Sequence, residues 1–290
     1  MLLQRTPDSP SATDAPEVPG APGASTLPAL HFVHANSYPS ATYRVLFKHL
    51  GAHYAVQSLP MHAHDPRYPV RNGWHDLMRE LVDDLKSRHD QPVILVGHSM
   101  GGMLSLMAAH AHPELVRCVV LLDSPVVAGW RALALRVAKA AGMDRKFGPA
   151  QFSAKRRNLW PGPQAAYEHY ASKPLFAAWQ PDVLRDYIDV GLLPHPEGVT
   201  LRFTREAETA VYRTLPHHLG SLVRRLQVPV GFIGGTHSVE CRQAGLRATR
   251  RLVGRHFKLL PGGHLFPMES PAAAASSVHQ MLSSLLNENH

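Results

Sequence analysis

Gly97-His98-Ser99-Met100-Gly101 is the stretch of sequence that decides the fold. It follows residues 93–96, a short apolar run typical of a buried strand, and it begins residues 100–111, whose small and apolar side chains favour a helix. Gly-x-Ser-x-Gly between a strand and a helix is the pattern of a nucleophile elbow, a sharp turn that projects the serine hydroxyl above a sheet. We therefore predict that Ser99 is a nucleophile.

Apolar runs and helical patterns alternate on both sides of this stretch. We predict strands over residues 30–34, 53–59, 93–96, 116–122, 228–233 and 256–260. We predict helices over residues 40–50, 70–88, 100–111, 217–226, 240–253 and 271–286. The alternation predicts an α/β fold with a doubly wound, mostly parallel sheet of about six strands and helices on both faces.

Two segments interrupt the alternation and divide the chain into parts. Residues 1–28 are rich in Pro, Ala and Ser and contain no apolar run, so we predict a disordered tail. Residues 126–215 are too long for a plain loop and are predicted to form a mostly helical lid over the sheet edge. Residues 29–125 and 216–290 would then form the core.

Composition limits the classes of function. The 290 residues include 30 Lys or Arg and 22 Asp or Glu, which gives a net charge of +8. The short basic runs Lys155-Arg156-Arg157, Arg224-Arg225 and Arg250-Arg251 are predicted to be solvated surface, so we expect no nucleic-acid partner. No stretch approaches the ~18 apolar residues of a membrane span, so we expect no membrane insertion. Cys118 and Cys241 form no CxxC pair, which favours reduced thiols in a cytoplasmic protein.

Metal or cofactor chemistry is not expected. His62 and His64 form a His-x-His pair beside Asp65, a spacing that can bind zinc, but no further ligand cluster with suitable spacing accompanies them. Gly234-Gly235 lacks the Lys and Ser/Thr of a phosphate-binding loop. We therefore predict a reaction that uses the protein's own groups, without a metal or a cofactor.

His264 is the predicted general base. A serine hydroxyl is a weak nucleophile and needs an adjacent base. The sequence has 20 histidines, but His264 follows the last predicted strand and lies in the glycine loop Pro261-Gly262-Gly263-His264. Its place late in the chain agrees with the order nucleophile, acid, histidine.

Two acids are candidates for orienting that histidine. Asp123 ends the strand that follows the nucleophile helix, and we favour it. Glu240 follows the penultimate strand and is the alternative, although it could instead begin a helix, where an acid is favourable. Both positions satisfy the order nucleophile, acid, base.

Two backbone N–H groups are the predicted oxyanion hole. One belongs to Met100, directly after the nucleophile. The other belongs to Asn36, in the loop His34-Ala35-Asn36-Ser37 after the first predicted strand.

Together these residues resemble the α/β-hydrolase superfamily over residues 30–288. This chain departs from the family pattern in two ways. The superfamily normally has two antiparallel strands before the first strand here, where this chain has its tail, and many relatives have an Asp where this chain has Ser238. The segment from His34 to Ser40 is also similar to a loop of haloalkane dehalogenases, some of which place their acid at the position of Asp123. Those enzymes use an Asp nucleophile, whereas Ser99 suits acyl transfer.

The predicted function is that of a serine hydrolase. We expect cleavage of a carboxylic ester or thioester of a small, largely apolar acyl compound through an acyl-enzyme, with that small molecule as the partner. Two alternatives stay open: hydrolysis of a carbon–carbon bond in a ring-fission product, and a catalytically silent homologue that binds a ligand.

Overall fold

A computed structural model describes residues 27–142 and 149–287 of the chain. Most of the tail predicted for residues 1–28 lies outside the described residues. The described part contains nine strands: β1 (Ala29–Val33), β2 (Ala55–Ser58), β3 (Val93–His98), β4 (Val116–Leu122), β5 (Leu159–Trp160), β6 (Leu192–His195), β7 (Gly198–Leu201), β8 (Val230–Gly235) and β9 (Phe257–Leu260).

Six of these strands form one parallel sheet, in the order β2-β1-β3-β4-β8-β9. Chain order reverses beside β1, because β2 lies on one side of it and β3 on the other. This is a doubly wound sheet, and the sequence prediction of an α/β fold with six strands is confirmed. The carboxyl ends of all six strands share one edge, where such sheets carry their sites.

Helices connect and flank the strands. The α-helices of the described chain are α1 (Arg44–Leu50), α2 (His75–Arg88), α3 (Met100–Ala111), α4 (Trp130–Ala140), α5 (Pro149–Lys155), α6 (Pro163–Ala171), α7 (Pro174–Ala177), α8 (Pro181–Gly191), α9 (Arg205–Arg213), α10 (Leu219–Leu222), α11 (Val239–Ala244), α12 (Arg247–Val253), α13 (Phe266–Glu269) and α14 (Pro271–Asn287). In the described chain, none combines the length and apolar character needed to cross a membrane.

Two of the predicted helices are shortened or divided where the backbone takes a positive φ. The helix predicted from residue 70 begins at His75, because Trp74 has a left-handed backbone with φ 60°. The helix predicted over 240–253 is two helices, α11 and α12, which are separated at Gly245, where φ is 72°. A positive φ breaks a right-handed helix, and glycine adopts it without steric cost.

The sheet divides the core into two apolar layers. Alternate residues of β4 point to opposite faces, so that Val120 belongs to the apolar cluster that includes α1 and α14, while Val119 belongs to the cluster that includes α2 and α3. Both faces are covered, and the strands are therefore apolar at nearly every position. This packing on both faces holds the strands in place, and with them the edge of the sheet on which the candidate site lies.

The segment between β4 and β8 departs from the predicted pattern. Residues 126–215 were predicted to be mostly helical, but they also contain the antiparallel sheet β5-β7-β6 beside helices α4 to α9. These strands are too short to display a clear period of two, and β6 includes Pro194, a residue type that is unusual in strands. We call residues 126–215 the insertion.

Candidate active site

The strand–turn–helix geometry that the sequence pattern predicts around Ser99 is present. Ser99 joins β3 to α3 with φ 52° and ψ −114°, a backbone conformation that L-residues rarely adopt. The N–H of Ser99 donates to the carbonyl of Leu122 at 3.0 Å, and the hydroxyl of Ser124 donates to the carbonyl of Ser99 at 2.7 Å. The end of β4 therefore holds the strained turn in place.

Glycine is required on both sides of this serine. A Cβ at Gly97 would lie 2.5 Å from the backbone of Gly101, and a Cβ at Gly101 would lie 2.0 Å from the carbonyl oxygen of Val33. Both distances are far shorter than a van der Waals contact. The two glycines thus let α3 start directly against β1 and β3.

His264 faces Ser99 across the sheet edge. Its Nε2 lies 3.0 Å from Oγ of Ser99, so the hydroxyl can donate to the neutral ring. The histidine comes from the loop after β9, and Gly262 in that loop has a φ of 132°. This arrangement has the hydrogen-bond geometry of a nucleophile and its general base.

Asp123 lies on the other side of the imidazole. Nδ1 of His264 donates to Oδ2 of Asp123 at 2.7 Å. The carboxylate is fully buried, and it also accepts from the N–H of Gly235 at 2.7 Å and from the hydroxyl of Ser238 at 2.6 Å. Three strong donors compensate for the burial of its charge.

Glu240 stands near the same imidazole but farther out. Its Oε2 lies 3.8 Å from Nδ1 of His264, beyond hydrogen-bond distance, and its side chain is 49% exposed. The residue begins α11, as the alternative interpretation of the sequence anticipated. The contacts favour Asp123 over Glu240 as the residue that orients the ring, and the catalytic role of either stays a proposal.

The electrostatics of these groups reinforce one another. Burial lowers the pKa of His264, but the hydrogen bond to Asp123 and the charges of Glu240 and Asp123 outweigh it, so that this pKa is raised. Burial raises the pKa of Asp123, but the hydrogen bond and charge of His264, with the bond from Ser238, bring it below its usual value. The site therefore stabilises an imidazolium beside a carboxylate, the charge state that follows proton abstraction.

The two predicted oxyanion donors lie at the sheet edge. Met100 is the first residue of α3, so its N–H is one of the unpaired donors of a helix N-terminus. Asn36 is buried in the loop after β1. Within the described chain, neither backbone N–H donates to a protein acceptor. Both are therefore available to a ligand oxygen.

Sequence reasoning missed the residues that support these groups. The N–H of Ala35 donates to the Tyr43 hydroxyl at 3.2 Å, that hydroxyl lies 2.7 Å from Nδ1 of His98, and Nε2 of His98 lies 2.9 Å from the carbonyl of His264. Burial and the charge of His264 lower the pKa of His98 to about 3, so its ring is neutral and donates through Nε2. This series of hydrogen bonds joins the loop of Asn36 to the loop of His264.

Ser238 is the second supporting residue that the sequence left without a role. It occupies the position at which the resemblance implied an acid. Its hydroxyl donates to Asp123 and accepts from the N–H of Cys241 at 3.0 Å, so it also caps α11. Its contact with Asp123 depends on β8 lying next to β4 in the sheet, which the sequence does not show.

One group of side chains in the described chain could contact a single metal ion. Ligand atoms of Asp123, Glu240 and His264 all lie within 4.8 Å of one another. Asp123 and His264 are already hydrogen bonded to each other, which makes an ion compete with that bond. The His62 and His64 pair is engaged elsewhere, because Nδ1 of His62 bonds Glu80 at 2.8 Å and Nδ1 of His64 bonds the carbonyl of His62 at 3.0 Å.

Arg156 corrects one prediction about the basic runs. The run Lys155-Arg156-Arg157 was predicted to be solvated surface, but the Arg156 side chain is only 20% exposed. It pairs with Glu208 inside the insertion at 2.6 Å. The prediction was wrong for Arg156, which directly follows α5, because α5 packs against α9, a tertiary contact that a charge run does not reveal. Lys155 and Arg157 are exposed, as predicted.

Comparison with known proteins identifies the family. A sequence model of the alpha/beta hydrolase family matches residues 32–277. The chain belongs to the alpha/beta hydrolase family. The resemblance stated from the motifs is therefore confirmed.

Among curated proteins, the chain is similar to the type I acyl-CoA thioesterase mpaH of Penicillium roqueforti (strain FM164), with 27% identity over 146 residues. That match covers 47% of this chain and 32% of the thioesterase, so it spans about a third of the relative's length.

Solved structures share the fold at low identity. E-2-(acetamidomethylene)succinate hydrolase superposes with a TM-score of 0.70 at 22% identity, covering 88% of this chain and 91% of that one. The thioesterase domain from the curacin biosynthetic pathway gives 0.67 at 18% identity, with the same two coverages. An esterase of M. tuberculosis gives 0.66 at 20% identity, covering 89% and 86%. At these identities the likeness describes the fold alone.

Proposed function

We propose that this chain is a serine hydrolase that cleaves a carboxylic ester or thioester of a small, largely apolar acyl compound. The observation that carries the proposal is His264, which lies 3.0 Å from Oγ of Ser99 through one nitrogen and 2.7 Å from Asp123 through the other. A serine hydrogen bonded to a histidine, which is itself hydrogen bonded to a buried acid, is the set of groups that acyl transfer needs.

In the proposed mechanism, Nε2 of His264 takes the proton from Ser99 as its oxygen attacks the carbonyl carbon. The N–H groups of Met100 and Asn36 stabilise the oxyanion, and Asp123 stabilises the imidazolium. His264 then protonates the departing alcohol or thiol. The same ring activates the water that hydrolyses the acyl-enzyme.

The insertion is proposed to act as a lid that supplies an apolar acyl pocket. The ring of Tyr38, in the loop after β1, lies 5.6 Å from Trp179 and 5.7 Å from Tyr187 of the insertion. These rings continue an apolar cluster that also contains Phe176 and Tyr170. An aromatic wall between the Asn36 loop and the insertion favours an apolar acyl group.

Thioester cleavage is supported by the similarity to an acyl-CoA thioesterase, and ester cleavage by the residue set alone. The experiment is a chain-length panel of p-nitrophenyl esters and acyl-CoA thioesters, with fluorophosphonate labelling in parallel. We expect one adduct, on Ser99, and hydrolysis of at least one class of substrate. Ser99→Ala should remove the label and lower kcat by at least ~10³-fold, as triad removals do. The matched control is Ser87→Ala, which replaces an exposed serine in α2 and should change neither the labelling nor kcat.

The outcomes separate the alternatives. Turnover that is unchanged in Ser99→Ala would contradict the proposal. Loss of absorbance with a ring-fission dienoate, but none with any ester, would favour carbon–carbon bond hydrolysis. Absence of a fluorophosphonate adduct on Ser99 would favour a ligand-binding homologue. A cytoplasmic location stays a prediction from the sequence.

A further inference from the structure

The side chain of Asn36 is attached to the insertion. Its Nδ2 donates to the carbonyl of Glu208 at 3.2 Å. Burial raises the pKa of the Tyr212 phenol, and the nearby Asn36 amide opposes that rise. Glu208 and Tyr212 are one turn apart on α9. Asn36 is 5% exposed, and its Oδ1 has no partner among the described residues. The loop with the proposed oxyanion donor is therefore fastened to α9.

The position of α9 depends in turn on α5. Nη1 of Arg156 donates to Oε2 of Glu208 at 2.6 Å, and Nη2 donates to the hydroxyls of Tyr170 at 2.8 Å and Tyr187 at 3.1 Å. A second contact joins α5 and α9, because Oγ of Ser153 lies 2.8 Å from Oγ1 of Thr209. The guanidinium thus ties α9 to α6 and α8 as well as to α5.

The ion pair is shielded from water. The side chains of Arg156 and Glu208 are 20% and 8% exposed. Burial lowers the pKa of Arg156, but the neighbouring phenols and Glu208 outweigh it and keep this pKa above its usual value. Removing one partner of a buried pair leaves the other charge uncompensated, so the local structure must rearrange. A rearrangement of Glu208 moves the carbonyl that holds Asn36.

We propose that Arg156 and Glu208 are positioning residues for the oxyanion hole, acting through α9 on the side chain of Asn36 and so on the direction of its backbone N–H. This inference rests on the proposed function. The ion pair does not touch the reacting atoms, and the contact through which we expect its effect to reach them is the hydrogen bond from Asn36 Nδ2 to the carbonyl of Glu208. Because an oxyanion donor acts on the transition state, the pair affects kcat rather than substrate binding.

The test is a double-mutant cycle between Asn36→Ala and Arg156→Met, measured as kcat and KM on the best ester of the panel. Each single variant should lower kcat by about 10- to 100-fold, less than the loss of an oxyanion donor, with KM changed by less than about threefold. The double variant should be no slower than Asn36→Ala alone, because both act through one contact. Arg185→Met is the matched control, since it breaks an exposed ion pair with Asp182 in the insertion and should leave kcat unchanged.

A purely structural role for Arg156 gives a different result. If the effects multiply in the double variant, or if Arg156→Met changes KM and not kcat, the inference is wrong. Should Arg156→Met fail to fold, the cycle uses Glu208→Gln, which keeps the carbonyl that holds Asn36 and removes only the charge. Rescue of kcat by Arg156→Lys supports the ion pair. Fluorophosphonate labelling of Ser99 in every variant separates failure of this inference from failure of the proposed function.

Discussion

Oδ2 of Asp123 lies 2.7 Å from Nδ1 of His264, although 141 residues separate the two in the chain. Asp123 follows β4 and His264 follows β9, two strands with only β8 between them in the sheet. Because parallel strands end at the same edge, the loops that follow these strands lie close together. The contact is the arrangement on which the proposed mechanism depends.

The first prediction concerns the two acids near His264. Asp123→Asn should lower kcat by about 10²- to 10⁴-fold, because the carboxamide no longer stabilises the imidazolium or sets the tautomer of the ring. Glu240→Gln should lower it by less than about fivefold, because the Glu240 carboxylate lies 3.8 Å away and is half exposed. The measurement is steady-state kinetics of both variants. Loss of activity in Glu240→Gln alone would reverse the assignment.

The second prediction concerns pH. A general base must be unprotonated, so kcat/KM rises with pH through the pKa of His264. That pKa is raised, in part by the charge of Glu240. Glu240→Gln removes this negative charge and makes the imidazolium less favourable, so the acid limb should move to lower pH. The profile of kcat/KM against pH is the measurement, with the exposed acid variant Glu197→Gln as its control. A limb that stays in place or moves upward would contradict the role given to Glu240.

The third prediction concerns Ser238. Ser238→Ala should destabilise the fold at neutral pH by about 1–3 kcal/mol, because a charge-assisted hydrogen bond to Asp123 and a helix cap are both lost. The pKa of Asp123 is lowered, so the stability it contributes is present at neutral pH and is lost as pH falls through the folded pKa. The deficit of the variant should therefore shrink in acid. Denaturant unfolding at several pH values measures this.

The control for Ser238 is another helix cap. Thr204 caps α9 by accepting from the N–H of Ala207 at 3.2 Å and has no contact with Asp123. Thr204→Ala should destabilise by a similar cap contribution of about 1 kcal/mol, without the loss of an Asp123 bond. If the Ser238→Ala deficit is the same at every pH, its bond to the carboxylate contributes nothing.

The fourth prediction concerns the glycines of the elbow. Gly101→Ala places a Cβ 2.0 Å from the Val33 carbonyl oxygen, which is backbone and has little room to move. We expect a loss of at least about 2 kcal/mol in unfolding free energy and loss of activity. Gly162→Ala is the control, since a Cβ there meets nothing within 4 Å, and thermal unfolding compares the two. Equal stability of both variants would show that the elbow is less tightly packed than this contact requires.

The local geometry around Ser99 was predictable because the residues that determine it are close together in the sequence. Gly97, Ser99 and Gly101 fix a strand–turn–helix unit, and the steric demand of that turn acts between residues close in the chain. The six parallel strands followed from apolar runs of the length that buried strands need. Placement of His264 after the last strand followed from the same alternation.

Choosing between Asp123 and Glu240 needed more than such patterns. Both follow strands that end at the same edge, and the sequence supports either as the acid. Their different distances from His264 depend on where the end of β4 and the first turn of α11 direct the two side chains. The hydrogen bond from Ser238 to Asp123 also depends on side-chain directions that sequence patterns do not predict.

Sequence alone determined the elbow, the parallel sheet and the identities of Ser99 and His264 as the candidate pair, because these depend on local sterics and on the periodicity of apolar residues. Tertiary structure alone decided that Asp123 contacts the imidazole and that Arg156 is shielded inside the insertion. It also decided that Asn36 is held by α9. The physical reason is that these contacts join segments far apart in the chain, and their distances are set by the packing of whole helices and strands.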